Sequence, residues 1–194
     1  MRKLHLGIAG VILVSVITST ATAIEPAHRE IRMSAKFGGM VPTGGWEELV
    51  KTDAGFGADL GILLTRQFTA GFAFDYFDAD PSSSYDPGPW RDISGHQWSL
   101  YSYEFFGEYQ LAKGDFSPFV AGRVGVHFTH IDYVNWEGIE TSMGDHGIGY
   151  TLASGLRYRL NQGVGLVLQG SASQTPGLHS GWRAALFVGV STFL

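Results

Sequence analysis

Two histidines three residues apart, His127 and His130, have the spacing that comes closest to a metal site. Neutral imidazole is a common metal ligand. The residues around them alternate between apolar and small or polar types, which predicts a β-strand, and on a strand residues three apart point to opposite faces. One regular strand therefore cannot bring both rings to one ion. We expect no metal and no cofactor here, with one histidine on each face.

Nucleophilic catalysis has no better support. The run of serines at 82–84 lies among Pro, Asp and Gly, which form turns and loops, so a Ser/His/Asp triad is unsupported. We therefore expect no catalytic residue and a protein that is not an enzyme.

A larger set of charged residues lies on one face of the predicted strands, at positions separated by even numbers of residues. Acids fall on the second, third and fourth strands, and bases on the first, fifth, sixth and eighth. An unpaired charge in a narrow, poorly hydrated space is costly, so we expect ion pairs. Lys36 should bind Asp59. Glu104 and Glu108 should bind arginines, because Arg takes a carboxylate in bidentate fashion. The charged set is Arg32, Lys36, Asp59, Asp75, Glu104, Glu108, Arg123, Arg157, Arg159 and Arg183, and the expected arginine partners are Arg123 and Arg157.

These residues must be positioned by long strands. The last, Trp182 to Leu194, alternates over thirteen residues, whereas a soluble strand has about five or six and a strand that crosses a bilayer needs about 9–11. Long and short connections alternate along the chain, as in outer-membrane barrels. We predict an all-β fold, an eight-stranded antiparallel up-and-down transmembrane β-barrel. The predicted strands are 31–41, 56–64, 68–77, 97–111, 118–131, 148–160, 164–174 and 182–194.

The orientation of the two strand faces is not fixed by alternation alone. A soluble barrel such as a lipocalin would turn the apolar face inward, and a membrane barrel would turn it outward. Strand length and the small or charged opposite face favour the membrane. Aromatics at the strand ends should then form interface girdles, with Tyr76, Trp98, Tyr150 and Trp182 at the end that carries the long loops.

The amino terminus predicts export. Arg2 and Lys3 precede an apolar run, and residues 21–23 fit an A-x-A cleavage pattern, so residues 1–23 are predicted to be a cleaved signal peptide. Residues 24–194 would form a single barrel domain without cysteine. Loss of Arg2 and Lys3 takes the formal charge from −5 to −7, which does not favour a nucleic-acid partner.

Several stretches resemble the small eight-stranded outer-membrane barrels of the OmpA-like and opacity types. They are 37–44 (FGGMVPTG), 117–125 (SPFVAGRVG) and 153–161 (ASGLRYRLN). The last strand also resembles the terminal strand that the barrel assembly machinery recognises. The resemblance implies a bacterial outer-membrane location, contact with outer-membrane lipid, and assembly by that machinery. Barrel lipid A deacylases use a lipid-facing His and Ser two residues apart, and the pairs His127/Thr129 and His130/Asp132 lack the serine.

The three longer loops, 43–53, 78–96 and 132–147, hold eleven acids and two bases. We expect them to face the outside and to bind an unknown extracellular ligand, giving a structural or surface-interaction role. The alternatives are ordinary solvated loops, a small low-conductance pore, and a lipid-modifying enzyme. The aromatics that would form the interaction surface are Trp46, Tyr85, Trp90, Tyr133 and Trp136.

Overall fold

The computed structural model describes residues 30–43, 51, 53–80, 94–134, 137–175 and 181–194, and their strands form one closed antiparallel barrel. The predicted eight-stranded up-and-down fold is confirmed. None of the described residues belongs to a helix long and apolar enough to span a membrane. The strands are β1 (Ile31–Thr43), β2 (Asp53–Leu63), β3 (Phe68–Ala79), β4 (Ser94–Gln110), β5 (Phe116–Val134), β6 (Glu140–Arg159), β7 (Val164–Thr175) and β8 (Gly181–Phe193).

The last strand closes the sheet on the first. β8 pairs with β1 from Arg32 opposite Phe193 to Thr43 opposite Trp182. The backbones of Ile31 and Leu194 exchange two hydrogen bonds of 2.9 Å. Closure satisfies the backbone groups of both end strands, which a bilayer requires because lipid offers them no hydrogen bonds.

The wall has the polarity of a membrane barrel. Phe37, Leu186 and Val188 point outward and are 65%, 60% and 62% exposed, whereas Arg32 and Lys36 point inward and are at most 3% exposed. An apolar outer face is what a bilayer needs and what water would penalise. The structure thus settles the face orientation that alternation left open, and the soluble-barrel alternative is wrong.

The barrel has two unlike ends. The turn end carries the start of β1, the end of β8 and the short connections at 64–67, 111–115 and 160–163, and the opposite end is called the loop end. β4, β5 and β6 are 17, 19 and 20 residues long, whereas the other strands have 11 to 13. They rise above the rest of the wall at the loop end as the β4–β6 extension, defined as residues 94–97, 131–134 and 137–149.

The extension corrects two predicted loops. Within the predicted loop 132–147, β5 continues to Val134 and β6 begins at Glu140, in unbroken register. Within the predicted loop 78–96, β3 continues to Ala79 and β4 begins at Ser94. Gly, Asp and Glu in these stretches resemble loop composition, but pairing with a neighbouring strand outweighs weak β-propensity.

An apolar cluster fills the lumen near the loop end. Its members come from inward positions toward the loop end of β1, β3 and β4 and from the middle of β8, and Ile131 and Ala185 pack against it. Trp98 was predicted for the outer girdle, which is wrong. It shares its parity with Ser102 and Glu104, so its side chain turns inward and is 1% exposed. The cluster consists of Met40, Phe77, Ala79, Trp98, Leu100 and Phe187.

Several predictions fall outside the described residues. The predicted signal peptide 1–23 is one, and four of the five candidate loop aromatics, Trp46, Tyr85, Trp90 and Trp136, are others. The fifth, Tyr133, lies in β5, but its side chain is outside the described part. These predictions stay predictions.

Candidate functional site

The lumen charges form three connected groups, of which the first lies toward the turn end. Glu108 of β4 accepts hydrogen bonds from two arginines on opposite sides. Arg32 Nη1 and Nη2 donate to its two oxygens at 2.6 and 2.8 Å. Arg157 Nε and Nη2 donate at 3.1 and 2.8 Å. All three side chains are at most 5% exposed. This group links β1, β4 and β6 across the barrel.

The second group lies near mid-height. Lys36 Nζ donates to Asp59 Oδ1 at 2.9 Å and lies 3.7 Å from Asp75. Arg123 Nη1 donates to Asp75 Oδ2 at 3.1 Å, and its Nη2 lies 3.6 Å from Asp59. The Gln169 carbonyl accepts from both cations, at 3.3 Å from Lys36 and 3.1 Å from Arg123. Two cations and two carboxylates therefore balance within one buried set.

Glu104 is the centre of the third group. Its Oε1 lies 2.9 Å from His127 Nε2 and accepts from the Thr151 hydroxyl at 2.6 Å. An ionised carboxylate can only accept, so the Thr151 hydroxyl uses its one hydrogen to donate to Glu104. The Ser173 hydroxyl, 2.8 Å from that of Thr151, then donates to Thr151. Arg123 Nη1 lies 3.7 Å from Glu104 Oε2. A carboxylate, an imidazole and two hydroxyls thus join β4 to β7.

Two of the expected pairs form hydrogen bonds and the third does not. Lys36 donates to Asp59, and Arg157 donates to Glu108. Arg123 and Glu104 come within 3.7 Å, but the hydrogen bonds of Arg123 go to Asp75 and Gln169, and those of Glu104 to His127 and Thr151.

Reasoning from the sequence did not assign five members of these groups to any pair, namely Arg32, Asp75, His127, Thr151 and Gln169. Arg32 and Asp75 could have been assigned, since both belong to the inward charged set. His127 lies inward with no exposed surface, and His130 is 38% exposed on the other face with its Nε2 3.1 Å from Asp132. The pairing of all these groups depends on how the strands are staggered, which alternation does not give.

Arg183 differs from the other lumen cations. It is buried, and its guanidinium carbon lies 5.5 Å from the centre of the Phe77 ring, at cation–π distance. Within the described ranges no carboxylate forms an ion pair with it, and its Nη1 has no hydrogen-bond partner. It therefore connects the charged groups to the apolar cluster instead of closing another pair.

The β4–β6 extension carries a second concentration of charge. It holds four acids, Asp132, Glu137, Glu140 and Asp145, and neither Lys nor Arg. Residues 140–149 of β6 pair with β5 on one side. On the other side, pairing with β7 begins only at Tyr150, opposite Gln174. About ten residues of β6 are thus an edge strand among the described residues, with an acidic surface around it.

Comparison with known proteins defines the fold. No family model and no curated protein sequence matches the chain. The attachment invasion locus protein Ail of Yersinia pestis, solved with the heparin analogue sucrose octasulfate, is 11% identical with a TM-score of 0.60, over 87% of this chain and 100% of that one. A major outer membrane protein of Thermus thermophilus has 11% identity and a TM-score of 0.61, over 84% and 99%. Neisserial surface protein A has 15% identity and a TM-score of 0.55, over 84% and 95%. The chain therefore has the fold of the small eight-stranded outer-membrane barrels.

Proposed function

We propose that this chain is an exported outer-membrane barrel with a lumen closed by paired charges, and that it serves a structural or surface-interaction role without catalysis. The interaction surface is the loop end, which faces the outside of the cell. One observation carries this proposal: the β4–β6 extension rises above the wall and bears four acids with no Lys or Arg.

The support for a closed lumen comes from distances and size. Every carboxylate of the three charged groups has a cation or a histidine within 3.7 Å. An eight-stranded barrel is only wide enough for side chains to fill it. The apolar cluster around Trp98 and Phe187 adds a second barrier toward the loop end. A continuous water path would have to pass both.

The charge of the extension favours a basic partner. An acidic surface attracts cationic ligands, and salt screens this attraction over about 8–10 Å. Ail was solved with a highly anionic sugar. The acids of this extension predict the opposite preference for this chain, so the shared fold does not carry over a shared ligand.

The test uses a lysine octapeptide with a fluorescent label and the protein refolded in lipid nanodiscs. We expect binding that weakens as salt rises from about 50 to 300 mM. A variant with Glu137→Gln, Glu140→Gln and Asp145→Asn should bind more weakly, whereas Lys113→Gln and Asp115→Asn at the turn end should leave binding unchanged. Equal binding by both variants would place the charge effect elsewhere and contradict the proposal.

A further inference from the structure

The buried charges of the described residues do not sum to zero. The three charged groups balance four cations against four carboxylates, and Arg183 is a fifth buried cation. With His127 neutral, the described lumen has one positive charge in excess, and a protonated His127 would add another. A buried charge without a counter-charge is costly. The two sets are Arg32, Lys36, Arg123, Arg157 and Arg183 against Asp59, Asp75, Glu104 and Glu108.

Positive charge is in local excess around Glu108, toward the turn end. Arg32 and Arg157 both bind this one carboxylate, and their guanidinium groups repel each other. Glu108 already accepts four hydrogen bonds from them, which fills the roughly four acceptor sites of an ionised carboxylate. Within the described ranges, the buried Arg32 Nε and Arg157 Nη1 have no hydrogen-bond partner. Two N–H groups of a cationic pair therefore need another acceptor.

Two buried hydroxyl groups lie beside the arginine pair. Ser34 of β1 is directly opposite Ser191 of β8, so their Cβ atoms are about 4.5–5.5 Å apart. Ser34 also shares the inward face with Arg32, two residues before it. Among the described residues, neither hydroxyl has a hydrogen-bond partner. On its other side Ser191 is opposite Gly165, where a Cβ would come 3.1 Å from the Ser191 Oγ, so the glycine leaves space beside that hydroxyl.

We propose that the turn end of the lumen binds one small monovalent inorganic anion of the size of chloride. It lies between the pair Arg32 and Arg157 and the hydroxyls of Ser34 and Ser191. Guanidinium N–H groups and hydroxyls donate hydrogen bonds, and an anion accepts them, so one ion satisfies all four groups. Its charge also removes the excess in the lumen. A water molecule would bond to the same groups but would leave that charge unbalanced.

The acid beside this site already has its counter-charges. Asp59 is opposite Ser34 in the ladder between β1 and β2. Lys36 donates to Asp59 at 2.9 Å, and Arg123 lies 3.6 Å from it. The carboxylate of Asp59 is therefore paired with two cations, and its repulsion of an anion beside Ser34 is offset by them.

Arg183 is the other cation that an anion could neutralise. Its guanidinium group faces the Phe77 ring, and the acids that attract it are Asp75 and Glu104. Glu104 forms no hydrogen bond with a Lys or Arg of the described residues, so its charge is available to offset that of Arg183. The same two acids would repel an anion there. The uncompensated positive charge therefore remains at the turn end.

The test measures urea unfolding in lipid vesicles while gluconate replaces chloride at constant ionic strength. Gluconate is too large for a lumen that side chains fill. A tenfold rise in chloride should raise the folding equilibrium constant by up to about tenfold, because only the folded barrel holds the ion. The variant with Ser34→Ala and Ser191→Ala should lose most of that gain. Ser102→Ala removes another buried hydroxyl without a described partner, beside Asp75, and should keep the gain.

Crystals grown in bromide give the position of the ion. We expect one anomalous peak in the lumen, in contact with Arg157 Nη1 and the Ser191 hydroxyl. Stability that does not depend on chloride would mean that water fills the site, and equal chloride dependence of all three proteins would place the effect elsewhere. A peak at Arg183 alone would also overturn the inference. None of these results affects peptide binding at the loop end, so the proposed function is tested separately.

Discussion

At the scale of single residues, Glu108 illustrates how the lumen handles charge. Its carboxylate accepts four hydrogen bonds from Arg32 and Arg157, and all three side chains are buried. A buried ion pair contributes little net stability compared with apolar residues of the same volume, but a buried ion that loses its partner is strongly destabilising. The three groups together hold four Lys or Arg side chains and four carboxylates, so charge balance over the whole network is the constraint on these residues.

This constraint predicts an unusual pattern for Lys36 and Asp59. Lys36→Met leaves Asp59 and Asp75 with Arg123 as the sole nearby cation, and should lower the free energy of unfolding by about 3–5 kcal/mol. Adding Asp59→Leu to that variant restores the balance and should recover part of the loss. Urea unfolding of the protein in lipid vesicles measures both values. A double variant that loses as much as the two single variants combined would contradict the paired-charge account.

At the scale of the elements, close approach between strands depends on glycine at inward positions. A Cβ on Gly125 of β5 would overlap the Tyr103 carbonyl and the Glu104 Cα of β4, which are backbone atoms that cannot move alone. A Cβ on Gly170 of β7 would meet nothing within 4 Å. The two glycines occupy similar strands but opposite faces of the wall.

Gly125→Ala should therefore destabilise the barrel, and Gly170→Ala should not. We expect a loss of about 1–3 kcal/mol for the first, the usual cost of overpacking, and a change within about 0.5 kcal/mol for the second. Heat-modified mobility of the folded band on gels gives the fraction assembled, and urea titration gives the stability. Equal assembled fractions and equal stabilities of the two variants would show that β4 and β5 are farther apart at Gly125 than in the structure.

The elements also show what the sequence could and could not predict. The faces of β1, β2 and β8 follow from alternation, because a side-chain period of two is a property of the strand itself. The ends of β5 and β6 did not follow, because residues 132–134 and 140–147 include Asp, Gly and Glu and are strand only through pairing with each other. Partners across the lumen, such as Arg32 with Glu108, depend on the stagger of all eight strands and are not a property of any one of them.

At the scale of the whole molecule, the even number of strands puts the start of β1 and the end of β8 at the turn end, opposite the extension. Short periplasmic turns and longer outer connections are typical of outer-membrane barrels. The acidic end would then face outward and the short connections inward. That orientation is required by the proposed function.

Single cysteines test the orientation cleanly, because the chain contains none. Ser142→Cys in the extension should react with a membrane-impermeant maleimide on intact cells. Gln162→Cys in the turn between β6 and β7 should react only after the outer membrane is permeabilised. Both positions are exposed, so solvent access does not separate them. Reaction of Gln162→Cys on intact cells would reverse the orientation.

Planar-bilayer conductance of the refolded protein tests the closed lumen most directly. The three groups of paired charges and the apolar cluster nearer the loop end predict no steady single-channel current at voltages where the barrel stays intact. The small-pore alternative instead has Arg123 and Glu104 lining an open path, so their replacement would tune ion selectivity. Regular openings whose selectivity changes with Arg123→Ala would contradict the account.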